Sequence, residues 1–106
     1  MLRAALSFAL LAGCGLVAAQ PVTPQALAQK SDCLSCHGMV HPQVGPGFAQ
    51  IAARYRGDAD APTRLAGKIR NGSVGAWGRV IMPRHPQLSD AETLALARWV
   101  LSQPSP

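Results

Sequence analysis

Cys33-Leu34-Ser35-Cys36-His37 is the most informative segment of this chain, because it places two thiols three residues apart and a histidine directly after the second. This pattern matches the attachment site for c-type haem. Within one helical turn, the two sulfurs can add to the two vinyl groups of one porphyrin, and the following imidazole is then held under the iron as its proximal ligand. The pentad therefore predicts a protein built around one covalently attached haem.

Three other interpretations of the pentad are weaker. A thioredoxin-like redox pair needs a βαβ context, and no strand-like alternating run flanks Cys33. A structural zinc site needs four Cys or His ligands in paired clusters, whereas His41 and His85 stand singly in Pro-rich loops. A disulfide between Cys33 and Cys36 is geometrically awkward and leaves His37 without a role. Haem attachment is the interpretation that gives Cys33, Cys36 and His37 each a role.

The N-terminus has the pattern of a secretory signal peptide. Met1-Leu2-Arg3 precedes an almost unbroken apolar run over residues 4–19, and the chain then becomes polar and Pro-rich. This run is too short for a convincing membrane span, and no other apolar stretch is as long, so we expect no transmembrane segment in the mature chain. Residues 20–106 are expected to form one small domain, in which a buried haem supplies apolar mass that the core lacks.

Two processing routes remain open at this terminus. Val17-Ala18-Ala19 offers small-residue cleavage before Gln20, which would remove residues 1–19. Leu11-Ala12-Gly13-Cys14 resembles the lipoprotein box, in which a signal over residues 1–13 is removed and Cys14 is lipidated. Apolar residues continue past Cys14, where a lipoprotein would begin a polar tether, and this favours the first route.

The charge balance bears on the partners of the chain. Ten Lys and Arg side chains stand against five Asp and Glu, a formal net charge of +5, and removal of Arg3 with the signal leaves a formal +4. A basic surface favours acidic partners. Export and the absence of a Lys/Arg cluster weigh against nucleic acid.

The pattern along the mature chain predicts an all-α fold. A first helix is expected from about Pro24 into the pentad, a short second helix over residues 48–55, and a third from Asp60 or Ala61 to just before Asn71. The capping box Ser89-Asp90-Ala91-Glu92 opens a last helix through about Ser102. No strand pattern is visible. The predicted apolar faces carry Phe48, Ile51 and Tyr55 in the second helix, Leu65 and Ile69 in the third, and Leu94, Ala95, Trp99 and Leu101 in the last.

The identity of the sixth iron ligand limits what such a haem can do. With His37 alone the iron can bind small molecules, whereas a thioether sulfur in the sixth position closes it and favours the ferrous state. Met1 is expected to leave with the signal, and Met39 is too close to His37 to reach the opposite haem face. Met82, in the Gly/Pro-rich loop from Gly72 to Gln87, is the remaining candidate, with ordinary core packing as its alternative role.

Further motifs accompany the pentad. They are Val44-Gly45-Pro46, Lys68-Ile69-Arg70-Asn71-Gly72-Ser73-Val74-Gly75-Ala76-Trp77-Gly78, Met82-Pro83, Leu88-Ser89-Asp90-Ala91-Glu92 and Leu96-Ala97-Arg98-Trp99-Val100-Leu101-Ser102-Gln103. With these motifs, the chain resembles the small bacterial class I cytochromes c of the c-551 or c8 type from about Gln25 to Gln103. The resemblance implies the class I cytochrome c fold, with four to five short helices around one covalent haem c. It also implies thioether bonds at Cys33 and Cys36 and axial iron ligation by His37 and Met82.

The resemblance implies roles for four other residues. Pro46 matches the proline whose carbonyl accepts a hydrogen bond from the far nitrogen of the proximal imidazole. Trp77 matches the indole that donates to a haem propionate, and Lys68 stands where a basic residue meets the same group. Trp99 matches an aromatic residue that packs on the first helix. The simpler alternatives are a turn proline, a core tryptophan at position 77 and a solvated lysine.

The chain departs from the pattern of its relatives at two places. Where many relatives have an Asn near the distal sulfur, it has Arg84-His85-Pro86 and an apparent one-residue insertion before Leu88, which leaves the redox potential open. We expect His85 to be solvent-exposed. Position 28 is Ala where relatives often have a bulky aromatic residue, so the crossing of the first and last helices is expected to be either looser or closer than usual.

The implied function is electron transfer rather than enzymatic catalysis. We expect a monomeric periplasmic mono-haem carrier that passes single electrons by outer-sphere transfer between respiratory redox partners. Its exposed haem edge is expected to be framed by Leu34, Val80 and Ile81, with Arg79 and Arg84 as a basic rim that docks briefly on acidic surfaces. The alternatives are a membrane-tethered lipoprotein cytochrome dedicated to one redox enzyme, and an open-site haem protein that acts as a peroxidase or binds gas.

Overall fold

The structure, a computed structural model, describes residues 4–16 and 22–106. Its helices are α1 (Pro24–Lys30), α2 (Phe48–Arg54), α3 (Ala61–Asn71) and α4 (Asp90–Leu101), with a 3₁₀ turn at Cys33–Ser35. Two short strands, β1 (Ser73–Gly75) and β2 (Gly78–Met82), pair as an antiparallel hairpin. Residues 4–16 form no regular secondary structure and are exposed. The predicted cleavage site at Val17-Ala18-Ala19 and Gln20 lies outside the described residues.

Local capping interactions start the helices where the sequence predicts. Thr23 Oγ1 accepts the Ala26 N–H at 3.1 Å. At the start of α4, Ser89 Oγ accepts the Glu92 N–H at 3.1 Å, and Glu92 Oε1 accepts the Ser89 N–H at 2.9 Å. The capping box predicted for the last helix is therefore confirmed.

The first helix is shorter than predicted. It ends at Lys30, because Ser31 closes its last turn and Asp32 adopts a left-handed conformation with φ of 60°. The pentad thus begins in the 3₁₀ turn rather than in the helix.

The absence of strands was also wrongly predicted. Gly75 and Gly78, with φ of 90° and 91°, flank a two-residue turn at Ala76 and Trp77 that allows tight antiparallel pairing. An irregularity in the register between Ser73 and Gly75 interrupts the pairing, and four of the five residues of β2 are exposed. No alternation of apolar and polar residues therefore marks the strands.

The core lies between α4 and the other three helices. One cluster of buried side chains is formed by Leu27, Ala28, Leu88 and Leu96, and a second by Phe48, Ile51 and Val100, while Cys33 and Trp99 pack against both. Trp99 therefore contacts the cluster that contains the α1 side chains, as predicted.

The buried face of α4 differs from the prediction. Thr93, Leu96, Ala97 and Val100 are buried, whereas Leu94, Ala95, Trp99 and Leu101 are only half-buried. The buried residues keep helical i, i+3, i+4, i+7 spacing, so the expected stripe is rotated around the helix. Because α4 contacts three helices, the positions beside this buried stripe are also partly shielded from solvent. The sequence therefore does not indicate sharply where the buried face of α4 ends.

Small residues mark the packing of α1 against α4. Ala28 and Ala97 have no exposed surface at all. Because neither side chain extends beyond Cβ, the two helices can approach closely there. The alanine at position 28 therefore favours the closer of the two crossings that the sequence allowed.

Candidate functional site

A single cleft brings together all the residues predicted to form the site. It encloses about 1080 Å³ of atom-free space, partly open to solvent, between the 3₁₀ turn, the loop before α2, helices α3 and α4, and the hairpin. The predicted residues that line it are Cys33, Cys36, His37, Pro46, Lys68, Trp77 and Met82.

The pentad is wound into one tight turn by its own backbone. The Cys33 carbonyl accepts the N–H groups of Cys36 at 3.2 Å and His37 at 3.0 Å. Ser35 Oγ donates to the Asp32 carbonyl at 2.6 Å, which closes the start of the turn. No disulfide joins Cys33 to Cys36, and burial raises the pKa of the Cys33 thiol. The turn presents both sulfurs to the same cleft.

The His37 ring is held by three neighbours. Its Nδ1 donates to the Pro46 carbonyl at 2.7 Å, and the ring stacks on Phe48 with centroids 5.1 Å apart. At Gly45, a Cβ would lie 2.9 Å from His37 Cε1, so the backbone approaches the ring too closely for any side chain. With the proton on Nδ1, Nε2 carries the lone pair that a metal ion requires.

The hairpin brings Met82 to the cleft. Met82 lies 45 positions after His37, at the end of β2, and pairs with Ser73 of β1. Gly72 precedes this pair with φ of 80° and ψ of 171°. A Cβ on Gly72 would lie 2.8 Å from the Met82 carbonyl oxygen. The approach of β2 to the end of α3 therefore depends on glycine at position 72.

Trp77 and Lys68 lie on the cleft wall in different surroundings. Trp77 occupies the hairpin turn and is 38% exposed, whereas Lys68 is half-buried in α3. Arg54, at the end of α2, was not predicted as a site residue, yet its Cζ lies 4.4 Å from the centroid of the Trp77 ring. Because 23 positions separate Arg54 from Trp77 and no motif links them, no local pattern indicates this contact.

His85 is half-buried, not solvent-exposed as predicted. Its backbone N–H donates to the Arg70 carbonyl at 3.2 Å, and its Nδ1 lies 3.2 Å from the Ile69 carbonyl oxygen. These carbonyls belong to the last turn of α3, where helical partners are lacking. His85 therefore caps α3 from the segment that follows Met82.

Three apolar residues are placed differently from the prediction. Leu34 is half-buried and packs against the Phe48, Ile51 and Val100 cluster, whereas Val80 and Ile81, predicted with it at the haem edge, line the cleft. Leu65 and Ile69 are half-buried rather than buried, because they line the cleft.

The cytochrome c family model matches residues 23–104 of this chain. The chain belongs to the cytochrome c family. Cytochrome c-552 of Nitrosomonas europaea is 45% identical over 87 residues, which cover 82% of this chain and 84% of that protein. Cytochrome c-551 of Pseudomonas aeruginosa is 42% identical over 80 residues, 76% of each chain.

Solved structures confirm the class I cytochrome c fold. The crystal structure of wild-type Nitrosomonas europaea cytochrome c552 matches with a TM-score of 0.72 and 46% identity, covering 74% of this chain and 98% of that one. The class 1 cytochrome MtoD from Sideroxydans lithotrophicus matches with a TM-score of 0.65 and 27% identity, covering 77% of this chain and 94% of that one.

The family and the CxxCH arrangement of Cys33 and Cys36 show that this cytochrome c carries one covalently bound haem c. The cleft fits this group: its lining is largely apolar, and His37 has its Nδ1 committed to Pro46. The family supports electron transfer with redox partners as the function. Within residues 4–16 and 22–106, no helix combines the length and apolarity that a membrane crossing requires.

Proposed function

We propose that this cytochrome c is a periplasmic carrier that passes single electrons between respiratory redox proteins and has no enzymatic reaction of its own. The observation that carries the proposal is the position of Met82. Although it lies 45 positions after His37, the hairpin brings it to the same cleft as the pentad. A histidine and a thioether on one cleft are the ligand pair expected of a coordinatively saturated, low-spin iron.

Four residues of the chain would hold the haem in a fixed arrangement. Cys33 and Cys36 would anchor the haem through thioether bonds, and His37 Nε2 would ligate its iron. The Pro46 carbonyl keeps the His37 proton on Nδ1 and fixes the plane of the ring. The bound haem supplies a one-electron ferric–ferrous couple. Because no proton or substrate atom has to move, the protein's contribution is positioning.

Met82 is held by backbone pairing rather than by a flexible loop. Its strand pairs with β1 through Ser73, and His85 fastens the following segment to α3. His37 and Met82 would therefore keep their positions in both oxidation states of the iron, which would keep reorganisation small during outer-sphere transfer. Trp77 and Lys68 lie on the cleft wall, where they would donate to the haem propionates.

The hairpin also provides a docking surface. Val80 and Ile81 line the cleft and are 49% and 70% exposed. Arg79 and Arg84 beside them are exposed cations. A small apolar patch with a basic rim suits brief association of a monomer with acidic surfaces of redox proteins, because opposite charges speed the encounter.

Export is the basis of the proposed location. Residues 4–16, which are apolar and exposed, belong to the predicted signal segment, and Cys14 is exposed within them. We propose cleavage before Gln20 and release into the periplasm. Mass spectrometry of the mature protein tests this, because an N-terminus at Gln20 supports it and an acylated Cys14 replaces it with the tethered form.

The ligand pair is tested by spectroscopy of the haem-loaded protein. We expect a low-spin ferric spectrum with a sulfur-to-iron charge-transfer band. Met82→Ala should abolish this band and lower the redox potential, since the thioether stabilises ferrous iron. Met39→Ala is the matched control, because Met39 is exposed and does not line the cleft, and the band should persist. A high-spin wild-type iron that readily binds added ligands would contradict the proposal and favour the open-site alternative.

A further inference from the structure

We infer that Arg54 is a positioning residue, which holds the hairpin against α2 and thereby keeps Met82 and Trp77 at the cleft. The inference deepens the proposed function and rests on it, because the ligand role of Met82 belongs to that proposal. Arg54 lies outside every motif that the sequence indicated, and it makes its contacts from the last turn of α2.

The contacts of Arg54 converge on the turn of the hairpin. Its Nη1 donates to the Ala76 carbonyl at 2.7 Å. Its Cζ lies 4.4 Å from the centroid of the Trp77 ring, well within cation–π range. One guanidinium thus binds the backbone of one turn residue and the side chain of the next. Together these contacts restrict both the position of the turn and the orientation of the indole.

The hairpin has few other attachments to the helices. Among the hydrogen bonds of the described residues, that from Arg54 to Ala76 is the only one between residues 73–82 and a helix. Val74, Val80 and Ile81 are exposed, so little apolar packing replaces it. Removal of this bond would therefore leave the tip of the hairpin held mainly by its own strand pairing and by the contacts that Trp77, Val80 and Met82 would make with the haem.

The Arg54 guanidinium also lies beside a side chain that packs on the core. Arg54 Cζ lies 5.6 Å from the centroid of the Tyr55 ring, and Tyr55 packs against the cluster of Phe48, Ile51 and Val100. The Arg64 guanidinium, which is paired with Asp58, lies 5.8 Å from the centroid of the same Tyr55 ring. The exposed Arg54 guanidinium therefore contacts both the ring of Tyr55, which packs on the core, and the turn of the hairpin.

The hairpin transmits this restraint to Met82. β2 runs directly from the turn to Met82, and its pairing with β1 makes the two strands move together. Lysine cannot replace arginine here, because the planar guanidinium both stacks on a ring and donates in a fixed direction. Replacement of Arg54 should therefore make the hairpin open more often. With lysine at this position, the net charge of the protein stays the same.

The test uses the haem-loaded protein with Arg54→Lys and Arg54→Gln. Arg56→Lys and Arg56→Gln are the matched controls, because Arg56 is exposed and its side chain makes none of the hydrogen bonds, ion pairs or ring contacts found among the described residues. Amide hydrogen exchange of residues 73–82 in the ferrous protein measures opening, with amides of α4 as the internal reference. Imidazole binding to the ferric protein measures release of Met82.

We expect both Arg54 variants to speed hairpin exchange and imidazole binding about tenfold, equivalent to about 1.4 kcal/mol. Exchange in α4 and both Arg56 controls should stay near wild type. Unchanged hairpin exchange in the Arg54 variants, or equal acceleration in α4, would overturn the inference. If the wild type lacks the charge-transfer band and binds imidazole freely, the proposed function fails, while hairpin exchange still decides the role of Arg54.

Discussion

Replacement of Gly72 by alanine tests how the Met82 strand is set against α3. Gly72 has φ of 80° and ψ of 171°, a conformation that is essentially restricted to glycine and costs another residue about 1–3 kcal/mol. The new Cβ would also lie 2.8 Å from the Met82 carbonyl oxygen and 3.2 Å from Arg84 Cγ. Since backbone has to shift to relieve the first contact, we expect Gly72→Ala to lower the free energy of unfolding by about 2–3 kcal/mol.

Gly67→Ala is the matched control within the same helix. Gly67 lies in the interior of α3, and a Cβ there would meet no atom within 4 Å. Alanine should therefore stabilise the protein by about 0.5–1 kcal/mol through helix propensity. Urea unfolding of the haem-loaded protein, followed by circular dichroism, measures both changes. A Gly72→Ala variant as stable as the wild type, with an unaltered charge-transfer band, would refute the argument from backbone conformation.

Two further predictions concern the cap of α4 and the packing of α1 against α4. The Ser89 N–H donates to the Glu92 carboxylate, which lowers the pKa of the Glu92 carboxyl in the folded protein. The ionised cap therefore stabilises the fold above the unfolded-state pKa of about 4.3, and this stability is lost as the pH falls through the lower folded pKa. Glu92→Gln should therefore flatten the acid side of the urea midpoint profile, and parallel profiles would contradict this. Ala28→Leu should lower the unfolding free energy by about 1–3 kcal/mol, because Ala28 has no exposed surface, whereas an unchanged urea midpoint would show a loose helix crossing.

The sequence predicted those features whose cause is local. The Ser89 and Glu92 cap involves residues three positions apart, and its bonds form as the motif indicates. The pentad likewise closes through the Cys33 carbonyl. Both depend on short-range backbone geometry, which residue types specify directly. Elimination of Met1 and Met39 left Met82 as the candidate ligand, and the resemblance then implied that role, whereas spacing alone could not establish its placement.

Features that depend on distant segments could not be predicted. His85 is half-buried because α3 ends beside it, and nothing in Arg84-His85-Pro86 indicates the carbonyls of Ile69 and Arg70. The hairpin forms around paired glycines, without the alternation that marks a half-buried strand. For His85 the deciding partner lies in another element, and its position follows only from the assembled fold; the hairpin is local, but its mostly exposed strands carry no pattern that marks them.

The two proposed iron ligands have one structural property in common, since each depends on a close backbone approach that a side chain would block. At Gly45 a Cβ would lie 2.9 Å from the His37 ring, and at Gly72 it would lie 2.8 Å from the Met82 carbonyl oxygen. Neither glycine belongs to the pentad. The pentad specifies where haem is attached, whereas the approaches at Gly45 and Gly72 position the two ligands. A chain with an intact pentad but larger residues at these two positions should therefore still attach haem covalently while losing the geometry that an electron carrier needs.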